Sequence, residues 1–343
     1  MRRTFAKLVF GLAMGACALG IWWDLSWFSL TLALGFAVLS LAFGRRSRRG
    51  WLVALMLLSG PLVVRGLFAR GGAWQSMTVL PADSGVRWVN TLVPERDGVV
   101  VAAGFMQLAN LLRDEQGAHF RTIMRDAYAR SDAASSWLPT PAIATYLGLQ
   151  APSAFDVVEI GVRDPRGAVI FLHGYAGNFY VYCWELAQAA RSAKLLTVCP
   201  SVSWRGDWWS ERGEQTFRNT LSHLRSRGIQ RVYLAGLSNG GAGASVIAHR
   251  HERDLAGLVL ISGTRGSPVL GLPTLMIQGA SDRMMGVAQA RSYARKSKRV
   301  RYRELPGGHL IFLSDHQRVR PLIAAFLREL EGSRPARGRL PVD

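Results

Sequence analysis

The chain has 343 residues, is 49% hydrophobic, and carries 42 Lys and Arg against 23 Asp and Glu, a formal net charge of +19. So much apolar material excludes extended disorder, and three cysteines in a chain of this length exclude a small disulfide-stapled scaffold. The charge raises nucleic acid as a first partner, but no helix-turn-helix, zinc or RNA-recognition pattern accompanies it, so none is expected.

Residues 1–70 hold nine of the basic side chains, one acid (Asp24), and the densest hydrophobicity. Phe5 to Trp23 is apolar apart from Lys7, close to the ~20 residues that cross a bilayer core. A second run goes from Ser26 to Gly44, and a third from Trp51 to Val64, continuing past Arg65 to Phe68. Gly60-Pro61 is expected to kink the third run, and Arg65 to snorkel toward an interface. Arg2, Arg3 and Lys7 precede the first run, and Arg45, Arg46, Arg48 and Arg49 separate the second from the third. The turn between the first two carries Asp24 with Trp22, Trp23, Trp27 and Phe28.

Basic loops stay in the cytoplasm, so this pattern describes a membrane anchor whose Trp-rich turn lies at the opposite interface. Three crossings place everything after Phe68 on the non-cytoplasmic side of a bacterial-type inner membrane. If the third run only dips into the membrane, the remainder is cytoplasmic. A cleaved signal peptide ending near Ala16-Cys17-Ala18 is a competing reading, with the immediate second apolar run against it.

Residues 71–154 form a connecting region and a candidate lid. Val99 to Ala103 reads as a short β-like run, while Phe105 to Arg113 and Phe120 to Arg130 have helical spacing. Ser131 to Ser136, ahead of Pro139 and Pro141, reads as a loop. His119 has no partner ligand nearby in sequence, and its functional reading is a place on the lid.

From Phe155 the pattern becomes regular. Ala168–Leu172, Leu195–Val198, Val232–Ala235, Leu258–Ile261 and Thr274–Ile277 are short continuous apolar runs, and Val300–Leu305 is strand-like. Strands buried on both faces of a parallel sheet read this way, and amphipathic helical stretches alternate with them. The expected fold class is α/β, a mostly parallel wound sheet with helices on both faces. It should span residues 155–332, with a flexible tail over 333–343.

The strand at Val232 runs into Gly236-Leu237-Ser238-Asn239-Gly240, a G-x-S-x-G pattern between strand and helix. Such a sharp turn lifts the serine hydroxyl clear of the sheet, and glycine is needed where neighbouring backbones approach too closely for a side chain. A serine hydroxyl is a weak nucleophile until a base takes its proton and a third group orients that base. Asp282 follows the strand ending at Ile277, and His309 follows the segment ending at Leu305, in the order Ser, Asp, His. Ser238, Asp282 and His309 are therefore the catalytic candidates, with His316 in reserve for the base. His173 is read as shaping its loop, and His249 and His251 as surface residues. No His/Cys/Asp cluster has metal-ligand spacing, so neither a metal nor a cofactor is expected.

Over Phe155 to Leu330 these motifs resemble the α/β-hydrolase superfamily. The resemblance implies an esterase-like acyl transfer through an acyl-enzyme, on a small-molecule or lipid ester. Alternatives are an acyltransferase using the same residues, or a catalytically silent binding module on that scaffold. It also implies an oxyanion hole from the backbone N–H groups of Asn239 and Tyr175, the latter in Leu172-His173-Gly174-Tyr175. Many members insert a cap between the strands ending near Ile261 and starting near Thr274. Ser262 to Pro273 is too short for one, like the compact dienelactone-hydrolase-like enzymes and carboxylesterases. The site is then open, or covered by the region before Ala154 or by the bilayer.

Ser201 to Glu214 follows a strand's C-terminal end and should border the cleft. Trp204, Trp208 and Trp209 are candidate walls of an apolar pocket, with Arg205 and Arg212 facing an anionic group; packing of these tryptophans onto the core is the competing reading. A domain on the oxidising side would allow Cys183 and Cys199 to form a disulfide. The basic run from Arg291 to Arg303 reads as a solvated face, with lipid headgroups as the next reading. Nothing in the sequence sets the oligomeric state.

Overall fold

The computed structural model describes residues 2–72, 74–109, 116–135, 137–162 and 164–332. The expected tail, 333–343, and the end of the helical stretch to Arg113 lie outside these residues.

Three long helices come first: α1 (Arg2–Trp22), α2 (Trp27–Arg45) and α3 (Arg48–Phe68). All three are long and apolar enough to cross a membrane. Small residues let them pack closely. A Cβ at Gly35 would lie 2.9 Å from Leu58, and one at Gly50 would lie 2.8 Å from Ala42. Leu12, Ile21, Leu52 and Met56 point outward, each more than 60% exposed. α3 runs through Pro61 as one helix.

After α3 come β1 (Gln75–Leu80), α4 (Glu95–Leu108), α5 (Phe120–Ser135) and α6 (Ala142–Tyr146). Two expectations are corrected in this stretch. Val99 to Ala103 is helical, because the β-branched run lies inside α4 and buries Val99, Val100 and Ala103 along one face. Ser131 to Ser135 continues α5 instead of forming a loop. β1 is a strand that the sequence reading did not anticipate.

The remaining elements are β2 (Phe155–Ile160), β3 (Gly167–Leu172), α7 (Tyr180–Ala190), β4 (Leu195–Pro200), α8 (Glu211–Ser226), β5 (Val232–Leu237) and α9 (Asn239–Arg250). They continue with β6 (Gly257–Ile261), β7 (Thr274–Gly279), α10 (Val287–Arg295), β8 (Val300–Leu305), α11 (Ile311–Ser314) and α12 (His316–Gly332). The strands form one eight-stranded sheet in the order β1-β2-β4-β3-β5-β6-β7-β8. β3 to β8 are parallel, while β2 runs antiparallel to both β1 and β4.

Alternation of side chains along each strand builds the core twice. Val169, Phe171, Tyr233, Ala235, Val259 and Ile261 pack on one face with α7 and α12. Ala168, Ile170, Leu172, Leu234, Leu258 and Leu260 pack on the other face with α8 and α9. A third apolar cluster lies off the sheet, where Val99 and Ala103 of α4 meet Met124 and Tyr128 of α5, Val181 of α7 and Leu313 of α11. Cys183 of α7 and Cys199 of β4 are joined by a disulfide.

The segment between α3 and β2 is tied to the N-terminal helices by polar pins. Asp97, buried in the first turn of α4, accepts hydrogen bonds from the Ser26 N–H and from the hydroxyls of Ser26 and Ser29 at the start of α2. Arg65 of α3 is also buried, donating to the Thr91 and Leu138 carbonyls. Its charge is satisfied by protein carbonyls. The Trp23 ring covers Gly104, and Phe105 meets that ring edge-on at 5.5 Å. The α1–α2 turn and the end of α3 therefore lie against the same segment, and the Arg45–Arg49 cluster lies at the opposite end of α2 and α3.

Candidate active site

β5 delivers its chain into a turn so tight that side chains are excluded around it. A Cβ at Gly240 would lie 1.9 Å from the Leu172 carbonyl oxygen, and one at Gly236 would lie 2.2 Å from the Gly240 oxygen. Ser238 sits at the apex with φ 55° and ψ −120°, a conformation that L-residues rarely adopt. Its own N–H is held by the Ile261 carbonyl at 2.9 Å. Backbone strain is thus retained by close packing against β3 and β6, and the hydroxyl is aimed away from the sheet.

His309 Nε2 lies 3.0 Å from Ser238 Oγ, and His309 Nδ1 lies 3.0 Å from Asp282 Oδ2. All three residues are less than 10% exposed. Asp282 is held on every side: Oδ1 accepts the Met284 and Met285 N–H groups, and Oδ2 also accepts Gln278 Nε2 at 2.8 Å. The carboxylate accepts from Nδ1, which sets the imidazole proton there and turns Nε2 toward the Ser238 hydroxyl. The loop after His309 is pinned from outside the sheet, by the Leu310 N–H donating to Gln116 Oε1 at 2.6 Å.

Asn239 is the first residue of α9, so its N–H has no acceptor one turn back and points from the positive end of the helix. Gly174 passes close to Ser238, with a Cβ there only 3.1 Å from Ser238 Cβ. This brings the Tyr175 segment alongside. The loop is shaped by His173, whose Nδ1 meets the Gly174 carbonyl at 2.8 Å while Nε2 accepts the Val202 N–H at 3.2 Å. Burial pulls this imidazole down to about 4, so it is neutral at ordinary pH and serves as a bracket. Tyr146 of α6 donates its hydroxyl to the Ala176 carbonyl at 2.7 Å, tying the same loop to the segment above.

Ser238 and His309 open into a cavity of about 370 Å³. Its floor includes Gly174, Tyr175 and Leu237. Its roof is the connecting region: Val99, Ala103 and Met106 of α4, Met124 of α5, and Ile143 and Tyr146 of α6. The connecting region thus lines the cavity with Ser238 and His309, although His119 itself is exposed and is not among the lining residues.

The pocket assigned to the tryptophan loop is corrected. None of Trp204, Trp208, Trp209 and Arg205 lines this cavity. Trp208 is fully buried, with its indole N–H donating to the His173 carbonyl at 2.9 Å, because a buried N–H needs an acceptor and the loop folds down to supply one. Trp204 packs edge-on against the outer side of the Tyr175 ring at 5.1 Å, and Arg205 lies over Trp204. Trp209 lies under Arg265. The other histidines stay apart from the site. His316 faces the Leu313 carbonyl, His251 meets Glu214 and Asp254, and His249 is bonded to Ser267.

Two supporting residues went unrecognised in the sequence. Gln278 anchors Asp282, and the available signal was an amide at a strand end four residues before the acid. Glu95 joins the roof to the scaffold, accepting the hydroxyls of Tyr128 at 2.6 Å and Thr140 at 2.5 Å, and the Tyr180 and Val181 N–H groups at the start of α7. Burial outweighs these donors and pushes its carboxyl up to about 7. Nothing local in the sequence marks it.

The basic run is peripheral, and two of its members are in ion pairs. Arg291 binds Glu304 and Arg301 binds Glu329. The run lies on α10, β8 and the turn between them, at the opposite sheet edge from β1, about 34 Å across eight strands.

A mostly parallel eight-stranded sheet with a serine elbow after β5, an acid after β7 and a histidine after β8 is the α/β-hydrolase fold. No protein-family model matches the sequence, and no curated protein matches it. Among solved structures the chain is similar to an α/β serine hydrolase without a lid from Xanthomonas campestris, at 16% identity and a TM-score of 0.43, covering 54% of this chain and 93% of that one. It is similar to Est1E from Butyrivibrio proteoclasticus with ferulic acid bound, at 12% identity and a TM-score of 0.45, covering 52% and 96%. An esterase from Pyrobaculum calidifontis matches at 14% identity and a TM-score of 0.44, covering 52% and 81%.

Proposed function

We propose that this protein is a membrane-anchored serine hydrolase that cleaves carboxylic ester or thioester bonds. The observation that carries the reading is the continuous relay from Ser238 Oγ through His309 to Asp282, with 3.0 Å at each step, opening into an apolar cavity. Ser238 Oγ attacks the acyl carbon as His309 Nε2 takes its proton. The carbonyl π electrons move to oxygen, where the Asn239 and Tyr175 N–H groups receive the charge. Collapse breaks the bond to the leaving group, which departs with the proton from His309. Water then attacks the acyl-enzyme by the same route and releases the acid and free Ser238. Each oxyanion donor of this kind is worth about 3–4 kcal/mol of transition-state stabilisation.

A fluorophosphonate probe tests the nucleophile. The full-length protein should be labelled and Ser238→Ala should not; labelling that survives the substitution removes Ser238 from the mechanism.

Three observations support a hydrolase domain on the non-cytoplasmic side: the three apolar helices, the basic cluster at the end of α2 and α3 away from the domain, and the Cys183–Cys199 disulfide. Alkaline phosphatase fused after Asp343 should be active in intact cells, and an inactive fusion rules the topology out.

A further inference from the structure

We infer that the substrate is a lipid ester resident in the bilayer, its acyl chain housed under α4 and its scissile carbonyl presented to Ser238 from the membrane side. This rests on the serine-hydrolase reading above and adds the substrate's chemistry and its route.

The cavity selects for a hydrocarbon. Val99, Ala103, Met106, Met124, Ile143 and Phe179 line it, and an apolar chain entering such a space sheds water without leaving a polar group unpaired. The only carboxyl among the described lining residues, Glu95, is already surrounded by two hydroxyls and two backbone N–H groups. An anionic acyl group would meet no Lys or Arg among the described lining residues.

The cavity's position selects for the bilayer as the source. α4 is the wall shared by the cavity and the N-terminal helices. Val99, Ala103 and Met106 face the cavity, while Asp97 holds the start of α2, and Gly104 and Phe105 pack on Trp23. One helix diameter, about 10 Å, therefore separates the acyl space from the α1–α2 turn. That turn exposes Trp22 and Trp27 at 67% and 51%, as interfacial aromatics do. The surface around the cavity continues the apolar character. Phe105 and Leu108 on α4 and Tyr146 and Leu147 on α6 are each more than half exposed. On a water-facing enzyme such a patch is a liability, whereas beside a headgroup layer it is a landing surface.

The same acyl chemistry is available from monomeric esters in water, and the test separates the two sources. Full-length protein is reconstituted in phosphatidylcholine vesicles and supplied with p-nitrophenyl dodecanoate dissolved in the same bilayer, the same ester as a dilute aqueous monomer, or aqueous p-nitrophenyl acetate. Dodecanoate in the bilayer should exceed acetate in kcat/KM by at least about a hundredfold, since each buried methylene contributes about fourfold. Its rate should follow its mole fraction in the vesicle. Ala102→Phe, which narrows the cavity mouth, should lower the dodecanoate-to-acetate ratio by about tenfold. An unchanged melting temperature of that variant shows that it folds.

Preference for acetate, equal turnover of monomeric and bilayer dodecanoate, or an unmoved ratio in Ala102→Phe each overturns the inference. Fluorophosphonate labelling of Ser238 in the same vesicles is read separately. Labelling combined with acetate preference defeats only the lipid substrate, whereas absence of both labelling and turnover defeats the serine-hydrolase reading beneath it.

Discussion

The floor and the roof of the cavity are built on different principles. In the floor, every atom near Ser238 is confined by backbone: Gly240 and Gly236 have no room for a methyl group, and β3, β5 and β6 are buried along their whole length. In the roof, α4, α5 and α6 present apolar faces to the cavity, α4 and α6 also expose Phe105, Leu108 and Tyr146, and a few polar pins such as Glu95, Tyr146 and Gln116 hold them. A rigid floor keeps the strained Ser238 in register with His309 and Asp282, whereas a roof held by separable contacts can shift without disturbing that register. On the proposed reading, reaction belongs to the floor and selection to the roof.

The sharpest way to break this comparison is in the floor. Asp282→Asn keeps the shape of the acid but favours the wrong imidazole tautomer, and ester turnover should fall about ten-thousandfold with an unchanged melting temperature. Turnover near the wild-type level would mean that another group orients His309. Gly240→Ala forces a methyl group onto the Leu172 carbonyl, and denaturant unfolding should show a loss of about 3 kcal/mol. A neutral result would show that the elbow is looser than its spacing implies.

The roof should respond more gently and with pH. The Glu95 carboxyl is raised from 4.5 to about 7 by burial, so between these values the folded protein holds a proton that the unfolded chain releases. Its contribution to stability is complete below about 4.5 and is lost as pH rises through 7. Glu95→Gln should match wild type in melting temperature at pH 5 and exceed it increasingly toward pH 8. Parallel curves for the two proteins across that range would exclude Glu95 as the titrating pin.

Much of the floor could be read along the chain. Five continuous apolar runs became β3 to β7, the glycine spacing around Ser238 became the elbow, and Asp282 and His309 took their places in order at successive strand ends. β1 and β2 escaped notice, being the antiparallel pair that precedes the regular strand–helix alternation. The run Val99 to Ala103 misled because β-branched residues suit a strand locally, and helix won only through packing against α5 and α7. The tryptophan loop misled for a related reason. Its position after a strand end was read correctly, but which way its rings turn depends on the His173 carbonyl and on Tyr175.

By itself, then, the sequence determined the three apolar helices, the wound sheet and the serine elbow, because each follows from short-range periodicity or from a backbone geometry that only certain residues permit. Only the tertiary structure decided what roofs Ser238, where the acyl space lies relative to the N-terminal helices, and which buried groups, Glu95 and Gln278 among them, hold it in place. Those depend on contacts between segments far apart in the chain, where a helix has several faces to offer and its neighbours choose among them.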